Sequence, residues 1–251
     1  MVRHAAQPPS TVPTLETRRF VMRALRRSDA AALLPTLGDA AQCLYLSRPA
    51  FVSEDELWGW LADPEWTGRS WIAEDAQGAV VGRFVAVPLA AERVEEIGYI
   101  TCAGRQGEGV AKECTAALIA HLFGSERADK LVAEVDVENV ASVGLIERLG
   151  FTREALHIAH EETHKGVCDM AIYILHRNDY QVSQKAVEAG ATRPISARKP
   201  VGLGLGCHAP TWEPNDRRRM SRSRTPDRVR AATGGHRVTV LQRIRALTLR
   251  A

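Results

Sequence analysis

Along the first 180 residues, apolar positions recur with two different periods. Runs in which apolar residues alternate with polar ones, or follow one another without a break, predict β-strands, and runs with apolar residues three and four positions apart predict helices. The predicted strands cover residues 18–25, 70–75, 78–88, 93–102, 130–137, 151–159 and 167–175. The predicted helices cover residues 30–38, 54–63, 110–124 and 139–150. Because strands and helices are interspersed, the pattern predicts a mixed α/β domain.

Turn and capping residues support these bounds. Ser53 is placed to cap the second helix, which has an acidic first turn. Residues 76–78 predict a tight turn between two strands, and the last two strands are expected to pair as a second hairpin. Pro35 should bend or shorten the first helix, because proline has no backbone N–H to donate.

The periodicity fades after Tyr180. Residues 181–251 are rich in Pro, Gly, Ser and Arg, a composition that cannot offset the entropy cost of ordering by burying apolar surface. We therefore predict a disordered N-terminus over residues 1–13, one domain over 14–180 and a disordered tail over 181–251. Within the tail, residues 238–249 have helical spacing, but a helix of that length is marginal alone.

Charge separates the same two parts of the chain. The 251 residues are 45% hydrophobic and 25% charged, with a net charge of +3. Residues 1–180 contain 18 Lys and Arg against 26 Asp and Glu, whereas residues 181–251 contain 15 against 4. An acidic domain favours a cationic acceptor such as an amine. The basic tail favours nucleic acid or an acidic partner, although an Arg-rich run without interleaved aromatic residues is a weak signal and a tail with no role is the alternative.

Several classes of protein are disfavoured. The first residues lack the apolar core of a signal peptide, and no later run is long enough to cross a bilayer, so we expect a cytoplasmic protein with no membrane partner. The cysteines show neither metal-binding nor disulfide spacing, which predicts reduced thiols and no metal. A cluster of histidines and one glutamate falls in the second hairpin, where the spacing does not suit a metal site: His157, His160, Glu161 and His164.

The candidate chemistry begins with a glycine-rich stretch at residues 103–113, which follows a strand and precedes a helix. Such a turn is typical of an anion site, because successive backbone N–H groups and the positive end of the helix converge. Gly104 and Gly109 have the spacing of an NTP-binding P-loop, but Val110 stands where that motif requires lysine. Gly107 and Gly109 match a dinucleotide fingerprint only in part, because Lys112 replaces its third glycine.

Gln106-x-x-Gly109-x-Ala111 resembles the pyrophosphate-binding motif of the GNAT superfamily of acyl-CoA-dependent N-acyltransferases. A second stretch, residues 138–151, is similar to the Asn-x-x-Ser…Gly-Phe signature of that family. Its matching residues are Asn139, Ser142, Gly150 and Phe151. Residues 14–180 are also similar, in order, to the ribosomal-protein N-terminal acetyltransferase branch, with the clearest matches at 16–33, 95–100 and 168–180.

The resemblance implies the GNAT fold, a mixed and mostly antiparallel sheet flanked by helices and splayed between its middle strands. It also implies that acetyl-CoA is the co-substrate and that an amine is the acceptor. The backbone N–H groups of the glycine-rich stretch would hold the pyrophosphate: Gln106, Gly107, Glu108, Gly109, Val110 and Ala111. Asn139 would meet the pantetheine arm.

A protonated amine must lose a proton before it attacks a thioester. Glu96 is the candidate base, because many relatives have a glutamate at this place on the strand before the pyrophosphate loop. Adjacent residues of a strand point to opposite faces, so only one of Glu95 and Glu96 can face the cleft. Glu95, Glu134 and Glu54 are the alternatives.

The proton for the departing thiolate has a less obvious source. Many relatives supply it from a tyrosine seven residues after the motif asparagine, and here that position is Ile146. Ser142 is the remaining candidate acid, as in the ribosomal-protein branch, and a packed or backbone-bonded serine is the alternative. The fold implies that a backbone N–H near residues 99–101 would meet the developing oxyanion.

The function predicted on this resemblance is acetyl transfer from acetyl-CoA to a primary amine, either a protein N-terminus or a small molecule. Two alternatives stay open. The absent tyrosine favours a non-catalytic acyl-CoA sensor, and the basic tail favours a nucleic-acid-associated or ribosome-associated protein. Neither the identity of the amine nor the oligomeric state follows from the sequence, because acceptor pockets in one fold are built from variable loops.

Overall fold

A computed structural model describes residues 12–188. Its strands are β1 (Leu15–Glu16), β2 (Val21–Ala24), β3 (Arg69–Glu74), β4 (Val80–Pro88), β5 (Val94–Thr101), β6 (Lys130–Asp136), β7 (Thr152–Thr163) and β8 (Gly166–His176). Its helices are α1 (Asp29–Leu37), α2 (Glu54–Leu61), α3 (Val110–Gly124), α4 (Val140–Arg148) and α5 (Arg177–Glu188), and a 3₁₀ turn covers Ala103–Arg105. None of the helices within this range is long and apolar enough to cross a membrane.

The strands form one sheet in the order β1-β2-β3-β4-β5-β6-β8-β7. All neighbours are antiparallel except β5 and β6, which run parallel in the middle of the sheet. That parallel pairing covers only three residues of each strand and ends at Glu96 and Val132. Both strands continue beyond that point, so the sheet opens between them.

Helices cover both faces of the sheet, and each face has its own hydrophobic core. On one face, Ile97 and Tyr99 of β5 pack with residues of α3 and α4 such as Leu118 and Ile146. On the other, residues of β3, β4 and β5 pack against α1 and α2: Ile72, Val85 and Ile100 against Leu33, Leu37, Leu57 and Leu61. Alternating residues of one strand therefore enter different cores, as a period of two requires.

The predicted mixed α/β architecture and both hairpins are confirmed. Ser53 caps α2 by accepting a hydrogen bond from the N–H of Glu56, whereas α1 continues through Pro35 to Leu37. The first predicted strand, 18–25, is shortened to β2, and the short strand β1 that pairs with it was not predicted. The turn between them is held by the Thr17 hydroxyl, which bonds to the backbone of Phe20.

The domain boundary predicted at Tyr180 falls inside α5, which continues to Glu188. Tyr180 itself stacks against Phe123 of α3 at a ring distance of 5.2 Å. This contact packs α5 against the domain. It joins residues that are far apart in the chain, so the local pattern of apolar residues does not predict it. Most of the predicted N-terminal segment and of the tail, residues 1–11 and 189–251, lie outside the described residues.

Candidate active site

The opening between β5 and β6 exposes backbone groups at the centre of the sheet. On its other edge β5 remains paired with β4 as far as Thr101, and the N–H of Cys102 bonds to the carbonyl of Val81. Because backbone groups alternate in direction along a strand, this register turns the N–H groups of Tyr99 and Thr101 toward the opening. They can donate to a ligand that lies between the two strands.

The glycine-rich stretch forms the turn that leads into α3. Gly107 and Gly109 have φ values of 78° and 80°, which side chains rarely tolerate, and residues 107–109 are exposed. The N–H groups of Val110, Ala111 and Lys112 lie in the first turn of α3. Within the described residues, none of them donates a hydrogen bond to a protein acceptor. Unpaired donors at the start of a 15-residue helix suit an anion, so the stretch fits the diphosphate of a coenzyme A molecule.

Two arginines and a glutamine hold this loop in place. Arg19 donates to the carbonyl of Glu108 at 3.0 Å and to the carboxylate of Glu113 at 2.7 Å. Burial raises the pKa of Glu113, but the hydrogen bonds from Arg19 and Thr17 together outweigh it and lower the pKa overall. Arg105 bonds to Asp75 at 2.6 Å and to Glu108 at 2.8 Å.

Gln106 adds a third anchor, because its side-chain amide donates to Gln42 at 2.8 Å. The motif glutamine therefore ties the loop to the segment after α1. The part played by Arg19 was missed in the sequence, because Arg19 and Glu113 are 94 positions apart and only the tertiary fold brings them together.

The second sequence landmark forms the start of α4. Asn139 is the N-cap of this helix, and its side-chain oxygen accepts the N–H of Ser142 at 3.2 Å. Both residues are buried. Ile146, which occupies the position of the missing tyrosine, packs in the core beneath α4.

Tyr99 brings a second hydroxyl to this region. It lies on β5 beside the opening, and its hydroxyl donates to the backbone carbonyl of Ser142 at 3.4 Å. Burial raises the pKa of Tyr99, so its hydroxyl stays protonated at neutral pH. Tyr99 entered the sequence analysis only through its backbone N–H, because tyrosine on an apolar strand is equally typical of a core residue.

Glu95 and Glu96 point to opposite faces, as their adjacency predicts. Glu95 lies on the α3 face and bonds to Arg69 at 2.9 Å, next to Glu126. Burial raises the pKa of Glu95, and Arg69 opposes that rise. Glu96 is 5% exposed and lies on the α1/α2 face, at the last paired position before the opening.

Across the opening, β6 presents two further carboxylates on the same face, Glu134 and Asp136. Glu134 is two residues beyond Val132, the partner of Glu96. The α1/α2 face of the opening is thus acidic on both sides, whereas the opposite face holds the N-termini of α3 and α4. The alternative base Glu54 begins α2 and is exposed.

The far end of the acidic face is closed by the turn between β7 and β8. Lys165, in this turn, bonds to Asp136 at 2.8 Å and to Glu138 at 2.5 Å, and its ammonium lies 4.9 Å from the ring centre of Tyr45. The hydroxyl of Tyr45 donates to the carbonyl of Glu138 at 3.0 Å. A small pocket lies here, between the segment after α1 and the hairpin.

Two of the four tryptophans in and after α2 flank a buried arginine, a third, Trp58, packs against Arg27, and the fourth, Trp71, is fully buried. The guanidinium of Arg83 lies 4.9 Å from the ring of Trp60 and 5.1 Å from that of Trp66, and it donates to Ser70 at 2.8 Å. Burial lowers the pKa of Arg83 to about 9. The rings thus act mainly as packing for a buried cation.

The structure brings most of the predicted site residues to the central opening, although they come from four separate elements. Glu96 lies on one face, and the glycine-rich stretch, Asn139 and Ser142 lie toward the other. His157 and His160 belong to β7 and His164 to the following turn. Within residues 12–188, no group of three or more His, Cys, Asp or Glu side chains is arranged to hold a metal ion.

Comparison with known proteins identifies the same family that the two sequence motifs resemble. Residues 19–152 match a family model described as an acetyltransferase (GNAT) domain. The chain is 35% identical over 83 residues to the uncharacterized protein YkkB of Bacillus subtilis, and 31% identical over 85 residues to the uncharacterized N-acetyltransferase p20 of Bacillus licheniformis. The two alignments cover 32% and 34% of this chain and 48% of each relative, so the chain spans about half the length of the curated relatives it matches.

Solved structures share the fold at low identity. A GNAT-family acetyltransferase from Bacillus anthracis has a TM-score of 0.62 at 18% identity, over 66% of this chain and 99% of that one. The spermidine N-acetyltransferase of Vibrio cholerae, solved in complex with CoA and spermine, has a TM-score of 0.57 at 22% identity, over 64% of this chain and 98% of that one. Since the family model matches more than half of the residues, the chain belongs to the GNAT acetyltransferase family.

Proposed function

We propose that this protein transfers the acetyl group of acetyl-CoA to a primary amine in the opening between β5 and β6. The observation that supports this most directly is the pairing of β5 with β6, which ends at Glu96 and Val132. A donor-lined start of α3 lies on one face of the opening and carboxylates lie on the other. Two substrates entering from opposite faces would meet there, and holding them together accounts for much of the rate gain in such a reaction.

Acetyl-CoA supplies the thioester that is attacked. The N–H groups of the glycine-rich stretch bind its pyrophosphate in this proposal, with the loop held by Arg19, Arg105 and Gln106. Asn139, at the start of α4, contacts the pantetheine arm. The N–H groups of Tyr99 and Thr101, which point into the opening, stabilise the negative charge that develops on the thioester oxygen.

Glu96 acts as the base that accepts a proton from the acceptor ammonium. It is buried beside the opening and faces the side from which a cationic acceptor is attracted. Ser142 is the proposed proton donor to the departing thiolate. A thiol with a reference pKa near 8.5 leaves without strong acid assistance, so a serine in place of the usual tyrosine is chemically sufficient.

The proposed acceptor is a cationic amine, either a protein N-terminus or a small molecule. Glu96, Glu134 and Asp136 give the acceptor face a negative character. The likeness to the Vibrio cholerae spermidine N-acetyltransferase adds small polyamines to the candidates, and the resemblance to the ribosomal-protein branch adds protein N-termini.

Ligand binding is the first test. Thermal denaturation in the presence of acetyl-CoA, ATP or NAD should show an upward shift of the melting temperature with acetyl-CoA alone, because a ligand that binds only the folded state stabilises it. Release of free CoA thiol across a panel of polyamines, aminoglycosides and N-terminal peptides then identifies the acceptor. Binding without turnover for any amine would favour an acyl-CoA sensor.

Glu96→Gln tests the base. We expect kcat to fall by about 100-fold, within the range for loss of a general base, while the acetyl-CoA-dependent shift in melting temperature is retained. Glu95→Gln is the matched control, because Glu95 lies on the opposite face and bonds to Arg69. An equal loss of rate in both variants, or no loss in Glu96→Gln at any pH, would remove Glu96 from this role.

A further inference from the structure

β7 contains a bulge beside the acidic face of the opening. His157 pairs with Met170 and Glu161 pairs with Cys168, so three residues of β7 lie opposite the single residue Asp169 of β8. Ala159, in the centre of the bulge, has a φ of 48°, and its N–H donates to the Asp169 carboxylate at 2.7 Å. This region of φ costs a residue with a side chain about 1–2 kcal/mol, so the bulge is a strained feature held by a specific hydrogen bond.

The bulge changes the direction of a histidine. On a regular strand His157 and His160, three positions apart, point to opposite faces. Here their rings lie on the same face, with centroids 4.7 Å apart and an interplanar angle of 33°. That face is the acidic one, because His157 is opposite Met170, which is itself opposite Asp136 of β6.

His160 also reaches across a strand. β8 lies between β7 and β6, and two strand spacings amount to about 10 Å. Nevertheless the Nε2 atom of His160 is 3.7 Å from Oε1 of Glu134 on β6. The extra residues of the bulge place His160 so that its side chain crosses β8 and its ring points toward the opening. Bulges next to active sites often redirect a side chain in this way.

The two side chains differ in access to water. The side chain of Glu134 is 6% exposed and lies beside the opening, whereas that of His160 is 33% exposed. Histidine is the side chain whose ordinary charge change falls between pH 5 and 8, so it can accept and release a proton under the same conditions. A buried carboxylate in contact with a partly exposed imidazole connects the reaction site with solvent.

We infer that His160 is a proton-relay residue, which takes the proton of the acceptor ammonium from Glu134 and releases it to water. This inference rests on the proposed acetyl transfer to an amine. The acceptor ammonium, flanked by Glu96 and Glu134, becomes a neutral amine by loss of one proton. The proton moves from the acceptor nitrogen to Glu96, the proposed base, then across the opening to a Glu134 oxygen, then to Nε2 of His160 and then to solvent, so Glu96 and Glu134 are anions again before the next turnover.

Other charged groups face this relay from the neighbouring elements. His157 and Glu161 lie on β7 itself, Asp136 lies on β6 and is paired with Lys165, and Glu96 lies across the opening on β5. Of the residues of β8 that share this face, Met170 and Ile172 carry no charge, and Cys168 is a thiol whose pKa is raised by burial. The ring of His160 lies next to a carboxylate beside the opening, whereas the ring of His121 contacts Glu126.

The test compares His160→Gln with the wild-type enzyme over a range of pH. For the variant we expect kcat to be about tenfold lower at neutral pH, with an unchanged KM for acetyl-CoA. This loss is smaller than that for a general base, because His160 receives the proton only after it has left the acceptor. The acid side of the kcat profile should change its shape in His160→Gln, because the variant has no imidazole to take up the proton. His164→Gln, in the exposed turn, is the matched control and should follow the wild type.

Chemical rescue separates a relay from a structural role. Imidazole added to His160→Ala should restore part of the lost rate, because it replaces the proton acceptor without restoring any packing. A parallel pH profile for His160→Gln, or no rescue of His160→Ala while both variants keep the acetyl-CoA-dependent thermal shift, would overturn the relay and leave the proposed function intact. Absence of turnover by the wild type with every amine would reject both.

Discussion

At the scale of single residues, the central question is which hydroxyl donates a proton to the departing thiolate. Ser142 and Tyr99 meet at the same place, because the Tyr99 hydroxyl donates to the Ser142 carbonyl at 3.4 Å. Burial raises the pKa of Tyr99, so this group also retains its proton throughout the neutral range. Ser142 fits the family signature, whereas Tyr99 became a candidate only through its position in the fold.

Two conservative variants distinguish these hydroxyls. We expect Ser142→Ala to lower kcat by about tenfold, since CoA thiolate needs little acid assistance, and Tyr99→Phe to have a smaller effect on kcat. Tyr99→Phe removes one long hydrogen bond and keeps the ring in the core, so its unfolding free energy should fall by about 1 kcal/mol or less. Stopped-flow measurement of thiol release gives the rates. The opposite order of effects would assign the acid role to Tyr99.

At the scale of elements, the site depends on how a loop enters α3. The turn requires a positive φ at Gly107 and Gly109, and Arg19 of the segment before β2 bonds to both the loop and the helix. The helix start therefore has a defined position relative to the sheet before any ligand binds. Such preorganisation lowers the entropy cost of binding an extended co-substrate.

Gly109→Ala tests this requirement. Alanine at a φ of 80° is strained, and the added Cβ would lie 3.3 Å from Nη2 of Arg19, so we expect the unfolding free energy to fall by about 1–2 kcal/mol and acetyl-CoA affinity to weaken. Gly104→Ala is the control from the same stretch, because its φ is not positive and a Cβ there would meet nothing within 4 Å. Urea denaturation and calorimetric titration with acetyl-CoA measure the two quantities. Equal behaviour of the two variants would show that the loop relaxes freely.

At the scale of the whole molecule, two parts of opposite charge are joined in one chain. Every residue of the candidate site lies within residues 12–188, whereas the excess positive charge lies in residues 181–251. A basic segment binds polyanions through a term that weakens steeply with salt. Acetyl transfer and any nucleic-acid binding should therefore separate when the chain is shortened.

Truncation after Glu188 tests that separation. The shortened protein should keep the acetyl-CoA-dependent thermal shift and the kcat of the full chain, because α5 and every site residue are retained. Electrophoretic mobility shift with duplex DNA or RNA at two salt concentrations would detect binding by the tail. Loss of the thermal shift on truncation, in a protein that remains folded by circular dichroism, would instead assign the tail a part in the site.

Most strands and helices of this fold, and the glycine-rich part of the candidate site, could be predicted from the sequence because they depend on the local pattern of residues. Periodicity predicted the hairpins and α3, strand alternation predicted that Glu95 and Glu96 would separate, and glycine spacing predicted the turn before α3. The family resemblance then implied a mixed, mostly antiparallel sheet that is splayed between its middle strands. The extension of α5 to Glu188 was missed because the segment has few apolar residues and its contact with Phe123 is distant in sequence.

The sequence by itself determined most of the segments that become strands and helices, the alternation of β5 residues between two faces and the place where backbone donors gather. Only the tertiary structure decided that Arg19 holds the loop, that Tyr99 meets Ser142 and that His160 contacts Glu134. The physical reason is the range of the interactions. Period and glycine spacing act over a few residues, whereas these contacts depend on strand order, register and a bulge, which pack residues that are far apart in the chain.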